Sequence, residues 1–177
     1  FKVTNTTIKD VNNKTSVIVF TYDLDNLLTK AGTMTLTRAA KTGFVTKTTL
    51  GQVIDNYAYT ATFGEFATHT ATVAGLQVFS ETLTRDALGR IINKTENING
   101  TVTDFTYAYD SAGRLIETTR NGVTYGQYVY DGNSNRISGT QAGVAINAQY
   151  DDQDRLITYG SKAYQYTDNG EQKSVTD

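Results

Sequence analysis

The chain has 177 residues and a net charge of −2, with acidic and basic residues interspersed and neither cysteine nor proline. The lack of cysteine excludes disulfides, thiol catalysis and zinc–thiolate centres. Without a basic run the chain does not resemble a nucleic-acid-binding protein, and no apolar run approaches the ~20 residues of a membrane helix. We therefore expect no cofactor, no metal, no nucleic-acid partner and no membrane span.

The first 84 residues alternate short strand patterns with turn signals. Alternation predicts these strands: Phe1–Ile8, Ser16–Tyr22, Thr33–Arg38, Phe44–Leu50, Val53–Phe63, Phe66–Val73 and Leu76–Thr84. A polar turn is predicted at Asp10–Lys14. Tyr22 and Asp23 open another turn, in which Asn26 takes a place that needs a positive φ. Asp23–Lys30 is also the best helical candidate, but it is shorter than a helix of ~10–12 residues.

The clearest motif lies in the second half, around Tyr109 and Asp110. Side chains two positions apart in a strand share a face, so Tyr109 and the aromatic residues before it line one side. Asp110 caps a reversal by accepting a backbone hydrogen bond. Gly113 supplies a positive φ, and Arg114 and Leu115 begin the return strand. This pattern predicts a β-hairpin with a bulge.

The same motif recurs along the chain about every 16–26 residues, which is typical of an all-β repeat array. The copies are Tyr22/Asp23, Tyr59, Asp86/Gly89/Arg90, Tyr109/Asp110/Gly113/Arg114/Leu115, Tyr130/Asp131/Arg136, Tyr150/Asp151/Arg155/Leu156 and Tyr166/Gly170. We expect the copy at Asp131 to be one residue longer, with Asn135 before Arg136. In the copy at Asp151, Asp154 stands in the place of glycine.

These residues resemble the YD repeat of Rhs proteins, teneurins and the shell components of bacterial Tc toxins. The resemblance is good over 85–177 and weaker over 1–84, where the repeats are degenerate. It implies a single all-β domain over 1–177, an antiparallel β-hairpin repeat array forming a ribbon or a segment of a spiral shell. It also implies a secreted or cell-surface protein that contacts neighbouring repeats of a larger chain. Because a short section of an open ribbon exposes strand edges, we expect it to self-associate into dimers or larger stacks. The Asp-Pro motif and toxin domain of complete members are missing, so cargo release and toxicity are not carried over.

The residues suggest no catalytic or metal site. His69 is the only histidine, and no Gly-x-Ser-x-Gly elbow accompanies it, so a Ser-His-Asp site is not indicated. Asp131–Asn135 begins like a calcium loop, but Arg136 replaces its glycine and Ala142 its bidentate glutamate. Asp151, Asp152 and Asp154 are better explained as a solvated turn. We predict that the chain is not an enzyme.

Two interpretations of the aromatic face remain open. The rings either form the inner face of a repeated core with the motif arginines against them, or they present an exposed surface for glycans or a partner protein. The first favours a non-catalytic structural module, and the second favours a cell-surface adhesion or carbohydrate-binding module. A hydrolase is the third and least favoured hypothesis.

Overall fold

In a computed structural model, which describes residues 2–177, the described chain consists of strands and turns alone. The strands are β1 (Asn5–Lys9), β2 (Thr15–Tyr22), β3 (Leu28–Ala31), β4 (Met34–Arg38), β5 (Val45–Leu50), β6 (Val53–Tyr59), β7 (Phe66–Val73), β8 (Leu76–Arg85), β9 (Ile91–Ile98), β10 (Thr101–Tyr109), β11 (Leu115–Arg120), β12 (Val123–Tyr130), β13 (Arg136–Gln141), β14 (Val144–Tyr150), β15 (Leu156–Tyr159), β16 (Lys162–Tyr166) and β17 (Gln172–Thr176). Successive strands pair antiparallel. The predicted all-β hairpin array is confirmed.

The chain divides into two compact units. The first comprises the chain up to Thr84 together with Thr95–Val102, and the second comprises Arg85–Lys94 and Thr103–Asp177. Strands β1 to β8 form the ladder of the first unit, and β10 to β17 form the ladder of the second. The main boundary coincides with the change from degenerate to clear repeats, whereas a single domain over the whole chain stays a prediction.

Three of the sequence predictions differ from the structure by more than one residue. The first strand begins at Asn5, and Phe1 lies outside the described residues. Strand β6 ends at Tyr59 rather than Phe63, because Thr60 N donates to Glu65 O at 2.8 Å and the chain leaves the ladder there. The weak helical candidate Asp23–Lys30 forms a turn and the start of β3.

A bulge accompanies the motif tyrosine in each clear copy. The ladder register shifts between Ala108 and Tyr109, so that Tyr109 lies opposite Leu115. Equivalent shifts occur at Tyr22, Tyr59, Tyr130, Tyr150 and Tyr166. A bulge of this kind re-aims one side chain, and here it turns the ring towards the preceding hairpin.

Two kinds of turn alternate along the second unit. Wide turns with the motif aspartate alternate with two-residue turns such as Asn121–Gly122, where both residues have positive φ (50° and 76°). Positive φ at both central residues fits the right-handed twist of a hairpin. Because successive strands run antiparallel, the wide turns of this unit share one edge, and the two-residue turns share the other.

The sheet has almost no buried core. Among the described residues only Thr103, Thr118, Gly126 and Ala148 are buried, and Ala148, at 6% exposure, is the one apolar side chain among them. Aromatic side chains such as Tyr107 and Tyr128 line one face and are half-buried, while the residues just before them, Thr106 and Gln127, are exposed on the other face. A single layer cannot enclose side chains on two sides, so its stability depends on hydrogen bonds and contacts between neighbouring hairpins.

Candidate functional site

The wide turn at Asp110 is closed by its own carboxylate. Gly113 N donates to Asp110 O at 3.0 Å, and Gly113 has a φ of 82°, which glycine adopts without a Cβ clash. Arg114 N donates to Asp110 Oδ1 at 2.9 Å, and Arg114 Nε donates to Oδ2 at 2.7 Å. The arginine therefore binds the turn through its backbone and its guanidinium.

The turn at Asp86 has the same closure. Gly89 N donates to Asp86 O at 3.0 Å, and Gly89 has a φ of 80°, the conformation that its place in the motif requires. Arg90 N and Nε donate to Asp86 at 3.0 and 2.7 Å. Asp86, Gly89 and Arg90 therefore build a complete turn, although Arg85 stands where the other copies have tyrosine.

The turn at Asp151 closes in this way without a glycine. Arg155 N and Nε donate to Asp151 at 2.9 and 2.7 Å. The residue in the glycine place is Asp154, which has a φ of 60° and donates from its N to Asp151 O at 2.9 Å. Aspartate tolerates this left-handed conformation better than bulkier residues do, which explains the substitution.

These contacts lower the pKa values of the turn carboxylates. The backbone N–H and then the guanidinium of Arg114 hold the pKa of Asp110 below its ordinary value, and Arg155 does the same for Asp151. For Asp86 and Asp131 partial desolvation is the largest effect and raises the pKa. The hydrogen bonds from Arg90 to Asp86 and from Asn135 to Asp131 lower the pKa of each carboxyl, and the net shift of both pKa values is downward.

Each arginine also reaches the next wide turn along the edge. Its guanidinium lies over the next motif tyrosine, with centroid distances of 4.7 Å for Arg90 over Tyr109 and 4.9 Å for Arg114 over Tyr130. Arg155 lies 5.1 Å from the ring centroid of Tyr166. Arg114 Nη1 also donates to the backbone carbonyl of Asp131 at 3.0 Å. The arginine–tyrosine contacts are cation–π interactions between neighbouring hairpins.

The motif tyrosines bind the preceding hairpin through their hydroxyls. Tyr109 Oη donates to Ile91 O at 2.8 Å, and Tyr130 Oη donates to Leu115 O at 2.8 Å. The same bond joins Tyr150 to Arg136 O at 3.3 Å and Tyr166 to Leu156 O at 2.9 Å. Neighbouring turns are therefore joined in both directions. We call the turns that begin at Asp86, Asp110, Asp131, Asp151 and Thr167, with their tyrosines and arginines, the turn ladder.

The turn at Asp131 departs from our expectation. It is not one residue longer: Asp131 N donates to Asn135 O at 3.0 Å, the same closure as in the other copies. Ser134 takes the glycine place with a φ of 72°, and Asn135 takes the arginine place, where its N and Nδ2 donate to Asp131 at 2.9 and 3.1 Å. Arg136 therefore stands at the position of Leu115, directly opposite Tyr130.

Asn135 joins this turn to the next one without a guanidinium. Its Nδ2 donates to Asp154 Oδ1 at 2.6 Å, and Asn133 Nδ2 donates to the same oxygen at 3.0 Å. The ladder is thus continuous through the copy that lacks an arginine in the usual place. At the last turn, Thr167 replaces the aspartate, and Gly170, with a φ of 85°, donates to Thr167 O at 2.9 Å.

The first unit carries a reduced version of the same contacts. Tyr22 Oη donates to Val3 O at 2.8 Å, and Tyr59 Oη donates to Val45 O at 2.9 Å. Asp23 closes its turn by accepting from Leu27 N at 2.8 Å, and Asn26 has the expected positive φ of 66°. Ring contacts are prominent in this unit, as between Phe44 and Tyr59 at 4.8 Å.

The lone histidine lies on the aromatic face of the first unit. His69 Nε2 is 2.8 Å from Asp55 Oδ1, and its ring stacks on Tyr57 at 4.7 Å between centroids. Thr48 Oγ1 donates to the other Asp55 oxygen at 3.1 Å. The histidine is thus held in place by a carboxylate and a ring.

The acidic residues do not converge on a metal site. Within residues 2–177 no group of three or more His, Cys, Asp or Glu side chains is arranged to hold a metal ion. Asp131 Oδ1, which the calcium-loop pattern would use as a ligand, accepts instead from the backbone of its own turn. No helix in the described chain is long and apolar enough to cross a membrane.

Sequence reasoning missed three features. The polar turn predicted at Asp10–Lys14 was not recognised as a copy of the motif, yet it has the same closure as the others, with Asn13 at a φ of 61°, although no tyrosine precedes it and Lys14 replaces the arginine. An Asp-x-x-Asn spacing was the available signal. The second missed feature is that Asn135 takes the arginine place of the motif and Arg136 the leucine place. The third is the pairing of His69 with Asp55. Both depend on strand register, for which no local signal exists.

Comparisons with known proteins agree with this geometry. The sequence matches the model of the teneurin YD-shell family over residues 1–172. No curated protein matches it. Among solved structures, the fold is similar to the TcdB2–TccC3–Cdc42 complex (14% identity, TM-score 0.70) and to the Photorhabdus luminescens Tc holotoxin pore (16% identity, TM-score 0.70), in each case over 97% of this chain. The chain covers only 11% and 12% of the chains it matches.

Proposed function

The chain belongs to the teneurin YD-shell family, and from this membership we propose that it is a non-catalytic segment of a shell wall. The turn ladder is the observation that carries the proposal. Each arginine contacts the next hairpin and each tyrosine hydroxyl binds the preceding one, so the repeated residues serve cohesion between hairpins. A wall one sheet thick needs such contacts, because it has little buried core to hold it together.

Proteolysis of the folded chain tests the cohesive role. The triple substitution Y109F/Y130F/Y166F removes three hydroxyl-to-carbonyl bonds and keeps the rings. At about 1 kcal/mol each, their loss raises the population of open chain roughly a hundredfold, and cleavage by thermolysin should accelerate accordingly. Y128F is the matched control, because the Tyr128 hydroxyl has no hydrogen-bond partner within residues 2–177. Equal cleavage of the triple variant and the control would contradict the proposal.

The non-catalytic part of the proposal has its own test. His69 with Asp55 is the pair in the described chain that most resembles part of a hydrolytic site, although it lies among rings and threonines. Ester and glycoside substrates should not be turned over by the purified chain. Turnover that disappears in H69A would show that the chain is an enzyme.

A second candidate function is carbohydrate binding in cell-surface adhesion. An open cleft of about 610 Å³ in the first unit is lined by Phe44, Tyr57, Tyr59 and Phe63. Phe63 is 80% exposed, although aromatic rings of this size are usually buried. Exposed rings stack on sugar faces, so a glycan array with wild-type chain and F63A tests this function. Signals that F63A does not reduce would place any glycan elsewhere.

We further propose that the chain self-associates, or packs against neighbouring repeats of a longer chain, outside the cell or on its surface. A single-layer sheet leaves large apolar residues such as Leu76 and Val123 exposed, at 74% and 70%. Exposed apolar side chains gain free energy when a partner covers them, which favours association. Sedimentation at high concentration should show dimers or larger species, and a compact monomer would contradict this. Surface labelling of the source cells tests the location.

A further inference from the structure

Arg136 occupies a position in the turn ladder where its neighbours have leucine. Leu115 lies opposite Tyr109 and Leu156 lies opposite Tyr150, whereas Arg136 lies opposite Tyr130. Arginine in this leucine position places a permanent positive charge on the aromatic face, away from the aspartate of its own turn. That aspartate is already bound by Asn135.

The guanidinium of Arg136 lies beside two tyrosine rings. It lies 5.2 Å from the ring centroid of Tyr128 and 5.6 Å from that of Tyr159, and its Nη2 donates to Tyr159 Oη at 2.8 Å. Gly139 and Ala148 line the same recess, which is a partly enclosed cavity of about 10 Å³. Small residues leave room there that a larger side chain would fill.

In the described part of the chain Arg136 has no acidic partner. Arg90, Arg114 and Arg155 are comparably half-buried, at 30%, 28% and 31% side-chain exposure, and each meets an aspartate oxygen at 2.7 Å. Arg136 forms no ion pair within residues 2–177, and its Nε and Nη1 have no acceptor there. A half-buried charge without a counter-charge is unfavourable, and an added anion removes that cost.

We propose that Arg136, with Tyr128 and Tyr159, forms a binding site for a carboxylate group on the aromatic face. Tyr159 Oη takes only one N–H of Nη2, so further N–H donors along the edge of the guanidinium are open to a planar carboxylate. The recess of about 10 Å³ has room for one water-sized group, such as a single ligand oxygen. The Asp–Arg pairs of the turn ladder show the same recognition within this chain. The proposal does not depend on a shell function.

Titration with carboxylate probes tests the site. Ring resonances of Tyr128 and Tyr159 in the labelled 177-residue chain should shift and saturate with acetate and with N-acetyl-aspartyl amide. R136L should weaken binding at least tenfold, and it should fold because leucine occupies the equivalent positions 115 and 156. R136K, which keeps the charge but loses the planar fork, should weaken binding severalfold. R120L is the control, since Arg120 is exposed at the end of β11.

The outcomes separate the proposal from general ionic effects. Tighter binding of the aspartyl amide than of acetate would assign the site to a carboxylate carried by a polypeptide, and equal binding would assign it to small free carboxylates. Chloride or phosphate causing the same saturable shifts at equal ionic strength would overturn the carboxylate assignment. Shifts that persist unchanged in both R136L and R136K, or that R120L also abolishes, would overturn the site.

Discussion

Replacing Tyr130 with phenylalanine tests the central contact of the turn ladder. The substitution keeps the ring under Arg114 and removes only the hydroxyl, which donates to Leu115 O at 2.8 Å. A hydrogen bond of this kind contributes about 1 kcal/mol net, and the carbonyl left behind is half-buried. For a chain of this length, 1 kcal/mol lowers the melting temperature by about 2–4 °C.

Urea unfolding followed by circular dichroism measures the effect. The midpoint should fall for Y130F while the m-value is unchanged, since the surface exposed on unfolding is the same. Y128F is the matched control on the same strand and face, and it should change stability by less than about 0.5 kcal/mol. Y150F should have a smaller effect than Y130F, because its hydroxyl bond is longer, at 3.3 Å. If Y130F and Y128F behave alike, the tyrosine hydroxyl does not hold neighbouring hairpins together.

Three further perturbations test other parts of the structure. Acid should destabilise the fold, because the pKa values of the turn aspartates are lowered from the ordinary value of 3.8. Their stabilisation is therefore complete above that value and is lost as the pH falls through the lowered pKa values. D110N should flatten the decline of the urea midpoint on acidification below the ordinary value, and a wild-type midpoint independent of pH would contradict this. G126A should lower the free energy of unfolding by about 1–3 kcal/mol, because its Cβ would lie 3.1 Å from Tyr128 Cζ and 2.8 Å from Thr118 Oγ1. In the same assay G132A should be close to neutral, because nothing lies within 4 Å of its Cβ. A142N should raise the melting temperature, because Ala142 has a φ of 50°, a conformation that costs alanine about 1 kcal/mol and that asparagine tolerates. An unchanged melting temperature would mean that the turn is not strained.

The sequence alone determined the architecture, because its information is local. An aromatic residue at alternate positions, an aspartate that caps its own turn and a residue that tolerates positive φ specify a hairpin without reference to distant parts of the chain. Repetition then implies that hairpins stack. Asn26, Gly89 and Gly113 all adopt the positive φ that their place in the motif predicts.

Tertiary structure decided which contacts those residues make. The motif shows that tyrosine, aspartate and arginine recur, but not that the hydroxyl of Tyr130 binds the preceding hairpin or that Arg114 covers the next ring. In the copy at Asp131 the predicted turn length was wrong by one residue, because Ser134 adopts the positive φ and the turn closes one residue earlier than the motif predicts. That shift moved Arg136 into the place of a leucine, where no carboxylate of residues 2–177 pairs with it. Strand register, set by bulges and turns together, determines such neighbours, and register is not written in any single segment of the sequence.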